Sequence, residues 1–344
     1  MKEIINVGFI GAGKSTHRYQ GPFIQRRPDQ FQIKKIYARH LDHIAWKRIP
    51  GALYTDDLES VLSDPDIDLI VVSTPVMHYE YTKMALEHGK NVVCEKPFTD
   101  TLAQAKELFA LAKAKSLFCM SIQNRRFDSD FLTTQNMIES GLLGDLLEVE
   151  MCYDYYRPDV PTNTDHFDPY RSFLYGHACH TLDQAISYFG IPNDYHLEVR
   201  QLLGKGRMND YFDLDLFYEK GLKVSVKSSF FRVKQRPRFT VYGTKGTFIK
   251  QNEDRQEFDL KRFYMPTPDH PDFGIDLPSD YGTLYYYDDH DDYHEQVIKS
   301  INGDYSRYYD AVYHSIVDHK PPLVTPEQTL YQIRLLEEGI KQCS

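Results

Sequence analysis

Residues 4–16 read IINVGFIGAGKST, an apolar, β-branched run followed at once by a glycine-rich turn. A run of this kind is typical of a buried strand, and the glycines permit a tight turn before a helix. Backbone N–H groups and the helix dipole can hold a pyrophosphate at such a turn. The stretch therefore predicts the first strand and the phosphate-binding loop of a doubly wound α/β domain. The predicted loop residues are Gly11, Gly13, Lys14, Ser15 and Thr16.

The same pattern continues to about residue 122. Short β-branched runs alternate with segments of helical periodicity, as in βαβ units around a parallel sheet. The predicted strands cover residues 4–10, 31–38, 68–73, 91–94 and 117–122. Between them, capping boxes are predicted at Asp56 with Glu59 and at Thr101 with Gln104, and Gly89 fits a C-terminal cap.

From residue 123 onward the pattern is that of an α+β domain with antiparallel strands. Alternating apolar and polar residues predict strands near 147–155, 196–203, 211–218, 222–231 and 239–250. Helices are predicted at about 179–189, 307–319 and 326–343, and the polar segment 251–293 is predicted to be irregular. We therefore predict two domains, residues 1–122 and 123–344, which suits a chain of 344 residues.

Composition limits the classes of partner. The formal net charge is −10 and no run is as long and apolar as a membrane span, which argues against nucleic acid and membranes and favours a small-molecule substrate. The N-terminus does not fit a signal peptide, so a cytoplasmic location is expected. The five cysteines are widely spaced and indicate neither disulfides nor zinc.

A second phosphate-binding pattern overlaps the glycine loop. Gly8, Gly13, Lys14 and Ser15 also fit the P-loop of an ATPase or kinase, G-x-x-x-x-G-K-[ST]. That interpretation would place Phe9 in a loop wrapped around phosphate, although it has the character of a strand residue. We therefore favour dinucleotide binding and keep the P-loop as an alternative.

The end of the second predicted strand bears on cofactor choice. An NAD-specific domain normally presents a carboxylate there, but this chain has Arg39 and His40. A guanidinium can pair with a 2′-phosphate, so NADP is the preferred cofactor, with NAD possible.

A lysine follows the fourth of the predicted strands, in the run Cys94-Glu95-Lys96-Pro97. The carboxyl ends of parallel strands are the edge at which open α/β sheets bind ligands. Lys96 there could hydrogen-bond a reacting oxygen, and Pro97 could hold the turn, with a cis bond as one option.

These motifs occur in a fixed order with others. The additional motifs are Thr74-Pro75, Ala85-Leu86 with Gly89-Lys90, Asn124-Arg125-Arg126-Phe127 and His180-Thr-Leu-Asp183. Together they resemble the Gfo/Idh/MocA family of glucose-fructose oxidoreductases, inositol dehydrogenases and relatives, across essentially the whole chain. The resemblance implies a Rossmann domain, a C-terminal α+β domain with a large, mostly antiparallel open sheet, and a homo-oligomer, either a dimer or a tetramer.

The resemblance also implies NAD(P)-linked hydride transfer at a carbon of a sugar, sugar derivative or cyclitol. It makes Lys96 and His180 the expected catalytic residues, with Lys96 also contacting the cofactor and substrate. Further cofactor neighbours are expected at Thr74, Pro75, His78, Glu95, Pro97, Asn124 and Arg125. The candidate substrate residues are Tyr156, Arg157, His177, Asp183 and the two catalytic residues.

One departure keeps a second function open. Family members with the full catalytic set usually carry Asp four residues before the histidine, where this chain has Gly176. His177 or Asp183 could compensate, or Lys96 could carry the reaction. A non-catalytic NAD(P)-binding regulator of the same fold is therefore the alternative. No metal is expected, because the acidic stretch 288–294 has no recognisable ligand spacing.

Overall fold

The computed structural model describes residues 4–164 and 166–344. In this part of the chain the strands are β1 Ile5–Ile10, β2 Phe31–Tyr37, β3 Leu53–Thr55, β4 Leu69–Val72, β5 Asn91–Cys94, β6 Cys119–Ser121, β7 Leu146–Cys152, β8 Asp194–Arg200, β9 Tyr211–Phe217, β10 Lys223–Ser229, β11 Phe239–Gly243, β12 Gly246–Lys250, β13 Gly282–Tyr287 and β14 Tyr293–Ile298.

The α-helices of the described residues are α1 Gly21–Gln25, α2 Glu59–Leu62, α3 His78–Glu87, α4 Leu102–Ala114, α5 Ser129–Glu139, α6 Asp159–Thr162, α7 Cys179–Phe189, α8 Arg255–Lys261, α9 Ser306–Val317 and α10 Pro326–Ile340. Two π-helical turns, Ser15–Gln20 and Leu174–Ala178, precede α1 and α7. Short 3₁₀ turns occur at Leu41–His43, Asn124–Phe127, Pro169–Arg171, Glu219–Gly221 and Pro278–Asp280.

The first sheet is the predicted doubly wound sheet. Its strand order is β3-β2-β1-β4-β5-β6, and every pairing is parallel. In this order the chain reverses direction across the sheet between β1 and β4, and dinucleotides bind at such a switch point. The prediction missed only β3, a strand of three residues.

Helix caps follow the sequence signals in most places. Thr101 and Gln104 form the predicted capping box at the start of α4, and Gly89 has the positive φ of a C-terminal cap, +76°. The capping box predicted at Asp56 and Glu59 is wrong. Asp57 accepts the N–H of Ser60 at 3.2 Å instead, so the turn begins one residue later.

The second sheet has the order β14-β13-β12-β11-β7-β10-β9-β8. Only the β7–β10 pair among these strands is parallel, so the predicted mostly antiparallel sheet is confirmed. Helix α5 packs against β11 and β12, and α7 packs against β10. These two helices cover part of the second sheet and bury its apolar side chains.

The prediction that residues 251–293 are irregular is wrong. This segment contains α8 and β13, and β14 begins at its end. Exposed and buried apolar residues are mixed in the last two strands, which hid the alternation: Leu284 is fully buried, whereas Tyr287 and Tyr293 are exposed. The region predicted as one strand over 239–250 is a hairpin of β11 and β12.

The chain forms two compact units. Unit 1 contains residues 1–124, 259–273 and 305–330, and unit 2 contains residues 125–258, 274–304 and 331–344. The later segments are integral to unit 1. Phe273 packs on Phe23, Tyr308 donates to the carbonyl of Ser121 at 3.0 Å, and Asp310 pairs with Arg27.

Among the described residues, no helix is both long enough and apolar enough to span a membrane.

Candidate active site

The glycine loop lies at the carboxyl end of β1. Gly11 has a φ of +114°, and a Cβ at this position would lie 3.1 Å from the backbone of Ser73 and Thr74. Only glycine allows this conformation and this approach to the end of β4. A Cβ on Gly13 would meet no described atom within 4 Å, so the loop leaves room for a phosphate group. The loop thus fits the pyrophosphate of a dinucleotide.

The P-loop alternative is excluded by the position of residues 8–10. They are the last part of β1, paired with β2 on one side and β4 on the other. Phe9 and Ile10 are fully buried. These residues cannot wrap a phosphate while they form the centre of the sheet.

Thr16 takes the third position of the glycine motif, where dinucleotide-binding domains usually have glycine or alanine. Its side chain is fully buried. The hydroxyl donates to the carbonyl of Gly11 at 2.5 Å and lies 2.6 Å from the hydroxyl of Ser73. Thr16 therefore ties the loop to the end of β4, and the π-helical turn that contains it accommodates the side chain.

Glu95 connects the loop with the end of β5. Its Oε1 accepts hydrogen bonds from Ser15 and, at 2.7 Å, from Gln20, while Oε2 accepts the N–H of Lys96 at 3.1 Å. Both carboxylate oxygens are therefore used within unit 1. This arrangement holds Lys96 at the carboxyl end of β5, beside the Lys96–Pro97 cis peptide bond.

His78 joins two loops at the same edge of the sheet. Its ring nitrogens lie 2.6 Å from the carbonyl oxygen of Pro97 and 2.8 Å from that of Thr74. The side chain is almost completely buried. His78 thus fixes the Thr74-Pro75 loop against the loop after β5.

A cavity of about 340 Å³ lies beside the glycine loop and the end of β2. Its lining includes Gly11, Arg39, His40, Thr74 and Pro75. Hydrogen bonding to Tyr81, helped by Tyr37, raises the pKa of Arg39, which keeps the guanidinium charged. No acidic residue is found among the described residues that line this cavity.

Three exposed groups meet at the rim of this cavity. The ligand atoms of His40, Asp42 and His43 lie within 4.8 Å of one another. In the acidic stretch 288–294, the carboxylate of Asp288 lies 3.0 Å from the ring of His294. The expectation that the protein holds no metal stays a prediction.

In unit 2, the turn that follows β6 is bonded to helix α7. Arg126 donates two hydrogen bonds of 2.7 Å to the carboxylate of Asp183. Gln184 donates to the carbonyl of Arg125 at 2.7 Å, and Arg125 itself pairs with Asp128 and Glu257. Burial raises the pKa of Asp183, and the guanidinium opposes that rise. Because both Asp183 oxygens bind Arg126, this residue positions α7.

His180 lies in the first turn of α7, directly after the π-helical turn that carries Gly176 and His177. The ring of His177 packs edge-on against Tyr155, with centroids 5.0 Å apart, and against Phe173 at 4.6 Å. A Cβ on Gly176 would meet no described atom within 4 Å. An aspartate would therefore fit where family members usually carry one.

The remaining substrate candidates lie after β7. Arg157 stacks its guanidinium on the ring of Tyr155, 4.6 Å from the centroid, which connects it to His177 through one shared ring. Tyr156 is 59% exposed and forms an isolated antiparallel bridge with Phe231, two residues after the end of β10. Arg157, Tyr155 and His177 therefore form one polar and aromatic cluster, which does not include Tyr156.

Sequence reasoning missed several residues that hold the site. Gln20 and Ser73 fix the loop, and Arg126 and Gln184 fix α7. Arg126 belongs to the motif Asn124-Arg125-Arg126-Phe127, but nothing in the local sequence predicts that it pairs with Asp183. A buried ion pair between residues 57 positions apart is visible only in the folded chain.

The fold and this site define the class of protein. The family described as "Oxidoreductase family, NAD-binding Rossmann fold" matches residues 5–123, and "Oxidoreductase family, C-terminal alpha/beta domain" matches residues 135–344. The chain therefore belongs to the Gfo/Idh/MocA oxidoreductase family.

Individual relatives are similar over almost their whole length. Uncharacterized oxidoreductase YhhX of Escherichia coli (strain K12) is 44% identical, covering 99% of this chain and 97% of that protein. A solved structure of yhhX has a TM-score of 0.91 with 99% and 98% coverage. An oxidoreductase from Bacillus cereus has a TM-score of 0.90 at 40% identity, with 97% and 95% coverage. The scyllo-inositol 2-dehydrogenase (NADP(+)) IolW of Bacillus subtilis (strain 168) is 32% identical, with 98% and 94% coverage.

Proposed function

We propose that this protein is an NADP-preferring dehydrogenase or reductase of a sugar, a sugar derivative or a cyclitol. The observation that carries the proposal is the cavity in which Arg39 lies beside the glycine loop. A bound NADP would supply hydride transfer at its nicotinamide ring, and the protein would orient the reactants and move the proton.

The cofactor preference is supported by the charge of that cavity. Arg39 would pair with the 2′-phosphate, with His40 beside it, and the glycine-loop amides would bind the pyrophosphate. The B. subtilis relative named for NADP(+) agrees with this choice. The same relative, named for scyllo-inositol, supports a substrate with secondary hydroxyl groups.

For the reaction we propose Lys96 and His180 as the catalytic residues. A lysine ammonium can donate a hydrogen bond to the reacting oxygen and stabilise negative charge on it. An imidazole can accept the hydroxyl proton during oxidation and return it during reduction. The cluster of Arg157, Tyr155 and His177 offers donors and an aromatic surface for a polyol. A homo-oligomer and a cytoplasmic location remain part of the proposal.

The test is a fluorescence titration of the purified protein with NADPH and NADH, followed by a turnover screen over cyclitols and sugars. NADPH should bind at least tenfold more tightly than NADH, because a charge-assisted pair is worth about 1.5–3 kcal/mol. Arg39→Ala should remove most of that difference, while the matched change Arg255→Ala in unit 2 should not. An equal loss of both affinities in Arg39→Ala would refute the phosphate assignment, and dinucleotide binding with no turnover on any substrate would favour the regulator.

A further inference from the structure

A larger cavity lies within unit 1, and its lining shares no residue with that of the 340 Å³ cavity beside the glycine loop. Its volume is about 920 Å³. Three stretches of chain line it: the end of α1 with the turn after it (residues 22–28), the loop 47–50, and the segment 265–273. We refer to it as the basic cavity.

The polar wall of this cavity is cationic. The cationic residues that line it are Arg26, Arg27, Lys47 and Arg48, and the imidazole rings of His17 and His270 also line it. No Asp or Glu occurs among its described lining residues, although the chain as a whole has a formal charge of −10. Arg27 is neutralised by two hydrogen bonds to Asp310 outside the lining. Cations gathered in a concave surface repel one another, and an anion bound there relieves that repulsion.

Prolines form much of the remaining wall. They are Pro22, Pro28, Pro50, Pro266, Pro268 and Pro271. A fixed φ restricts each of these positions before any ligand arrives, so binding loses less conformational entropy there. The cavity is therefore a preformed site as well as a charged one.

A chain of hydrogen bonds connects the basic cavity to the glycine loop. The N–H of Ile49, in the cavity wall, donates to the hydroxyl oxygen of Tyr54 at 2.9 Å, and this hydroxyl lies 2.9 Å from His17 Nε2. His17 Nδ1 lies 3.0 Å from the carbonyl oxygen of Gly13. Burial lowers the pKa of His17, so the neutral ring donates from Nδ1 to the carbonyl and accepts the Tyr54 proton at Nε2.

We propose that the basic cavity binds an anionic small molecule with two or more phosphate or carboxylate groups, and that this ligand alters dinucleotide affinity through Tyr54 and His17. Lys47 and Arg48 would bind the anion, and any displacement of their loop would move Ile49 and, through the chain of hydrogen bonds, Gly13. The coupling rests on the proposed dinucleotide site, whereas the anion binding does not.

Anion binding is tested by calorimetric titration of citrate and of pyrophosphate into the protein, both without dinucleotide and saturated with NADPH. NADPH keeps pyrophosphate out of the glycine loop. We expect one binding event for at least one probe, weakened by added potassium chloride, and the probe that binds distinguishes carboxylate from phosphate chemistry. If neither probe binds, the proposal is wrong.

Variants locate the binding event. Lys47→Met with Arg48→Met should weaken it at least tenfold, because two charge-assisted contacts are lost. The matched control, Lys205→Met with Lys234→Met, removes the same charge from exposed positions of unit 2 and should change the affinity less than twofold. Equal affinities for the two double variants would place the anion elsewhere and overturn the assignment. Lys47→Met alone repeats the test with Arg48 still stacked on Tyr54.

The coupling is tested by measuring the Kd of NADPH with and without the probe that binds. We expect a shift of at least threefold, and the same factor in the affinity for the probe when NADPH is present. Tyr54→Phe removes the hydroxyl while it keeps the ring, so it should abolish the shift and leave probe binding intact. An unchanged shift in Tyr54→Phe would rule out this route. If NADPH itself does not bind, the proposed function fails, and the titrations without dinucleotide still decide the anion site.

Discussion

The glycine-loop edge of unit 1 and helix α7 of unit 2 are held in place by different kinds of contact. At the edge of the first sheet, neighbouring parallel strands bring Gly11, Ser73 and Lys96 to one side by their backbone pairing. Helix α7 packs its apolar face into the core of unit 2, and two side-chain contacts tie it to the turn after β6, from Asp183 to Arg126 and from Gln184 to Arg125.

The difference shows how each unit tolerates change. In unit 1 many backbone hydrogen bonds between the strands position the loop residues. A single side chain there can therefore be replaced at modest cost to the structure. In unit 2 a buried ion pair ties α7 to the turn after β6, and the loss of either partner leaves a buried charge uncompensated. Substitutions in unit 1 should therefore alter chemistry or binding, and substitutions around α7 should alter stability as well.

The largest expected effect is that of Lys96→Met. We expect turnover to fall by about 10²–10⁴-fold, or roughly 3–5 kcal/mol, because the hydrogen-bond donor to the reacting oxygen is lost. NADPH affinity and unfolding should change little, since β5 keeps its pairing. Steady-state kinetics and the NADPH titration measure the two quantities.

Lys106→Met, on the exposed face of α4 in the same unit, is the matched control and should retain full turnover. Turnover of Lys96→Met within threefold of the wild type would remove Lys96 from the mechanism.

Next in size is the effect of Arg126→Met. Asp183 would remain buried without its guanidinium, at a cost of about 3–5 kcal/mol in the free energy of unfolding. The double variant Arg126→Met with Asp183→Leu removes both charges and should recover most of that loss. Urea unfolding curves compare the three proteins.

If Arg126→Met lowers the free energy of unfolding by less than about 1 kcal/mol, the Arg126–Asp183 ion pair does not help to hold α7, because breaking a buried pair normally costs several times more. That result would also mean that the two units do not differ in their dependence on single side chains.

The smallest effect is expected for Thr16→Val. The side chain keeps its shape but loses the hydroxyl that bonds Gly11 and Ser73, so unfolding should cost about 1–2 kcal/mol and NADPH affinity should fall severalfold. Thr16→Ser retains the hydroxyl and should restore most of the affinity. Equal affinities for Val and Ser at this position would show that the loop does not need the bond.

Local pattern was sufficient to predict most of unit 1. Every boundary of the strands β1, β2, β4 and β5 was predicted to within one residue, because buried parallel strands are short apolar runs with clear ends. The glycine loop and Lys96 followed from the same runs, since strand ends fix the edge at which ligands bind.

The misses share a physical cause, which is contact between distant parts of the chain. β14 is an edge strand and β13 pairs with it; β13 is rich in Tyr and both are flanked by acidic loop residues, so their pattern resembles a loop. The bonds of Glu95 to Ser15 and Gln20 were not predicted, because they depend on how the first helix packs. Nothing in the local sequence indicates that residues 259–273 and 305–330 belong to unit 1.

That return of the chain to unit 1 affects how the protein can fold on the ribosome. Helix α9 supplies Tyr308, Tyr309 and Asp310 to the first sheet and its helices, so residues 1–124 emerge with part of their core still unsynthesised. Roughly two hundred more residues must follow, which takes on the order of 10–40 s at typical rates of translation. During that interval the incomplete unit 1 exposes apolar surface that α9 later covers, and a chaperone could bind this surface.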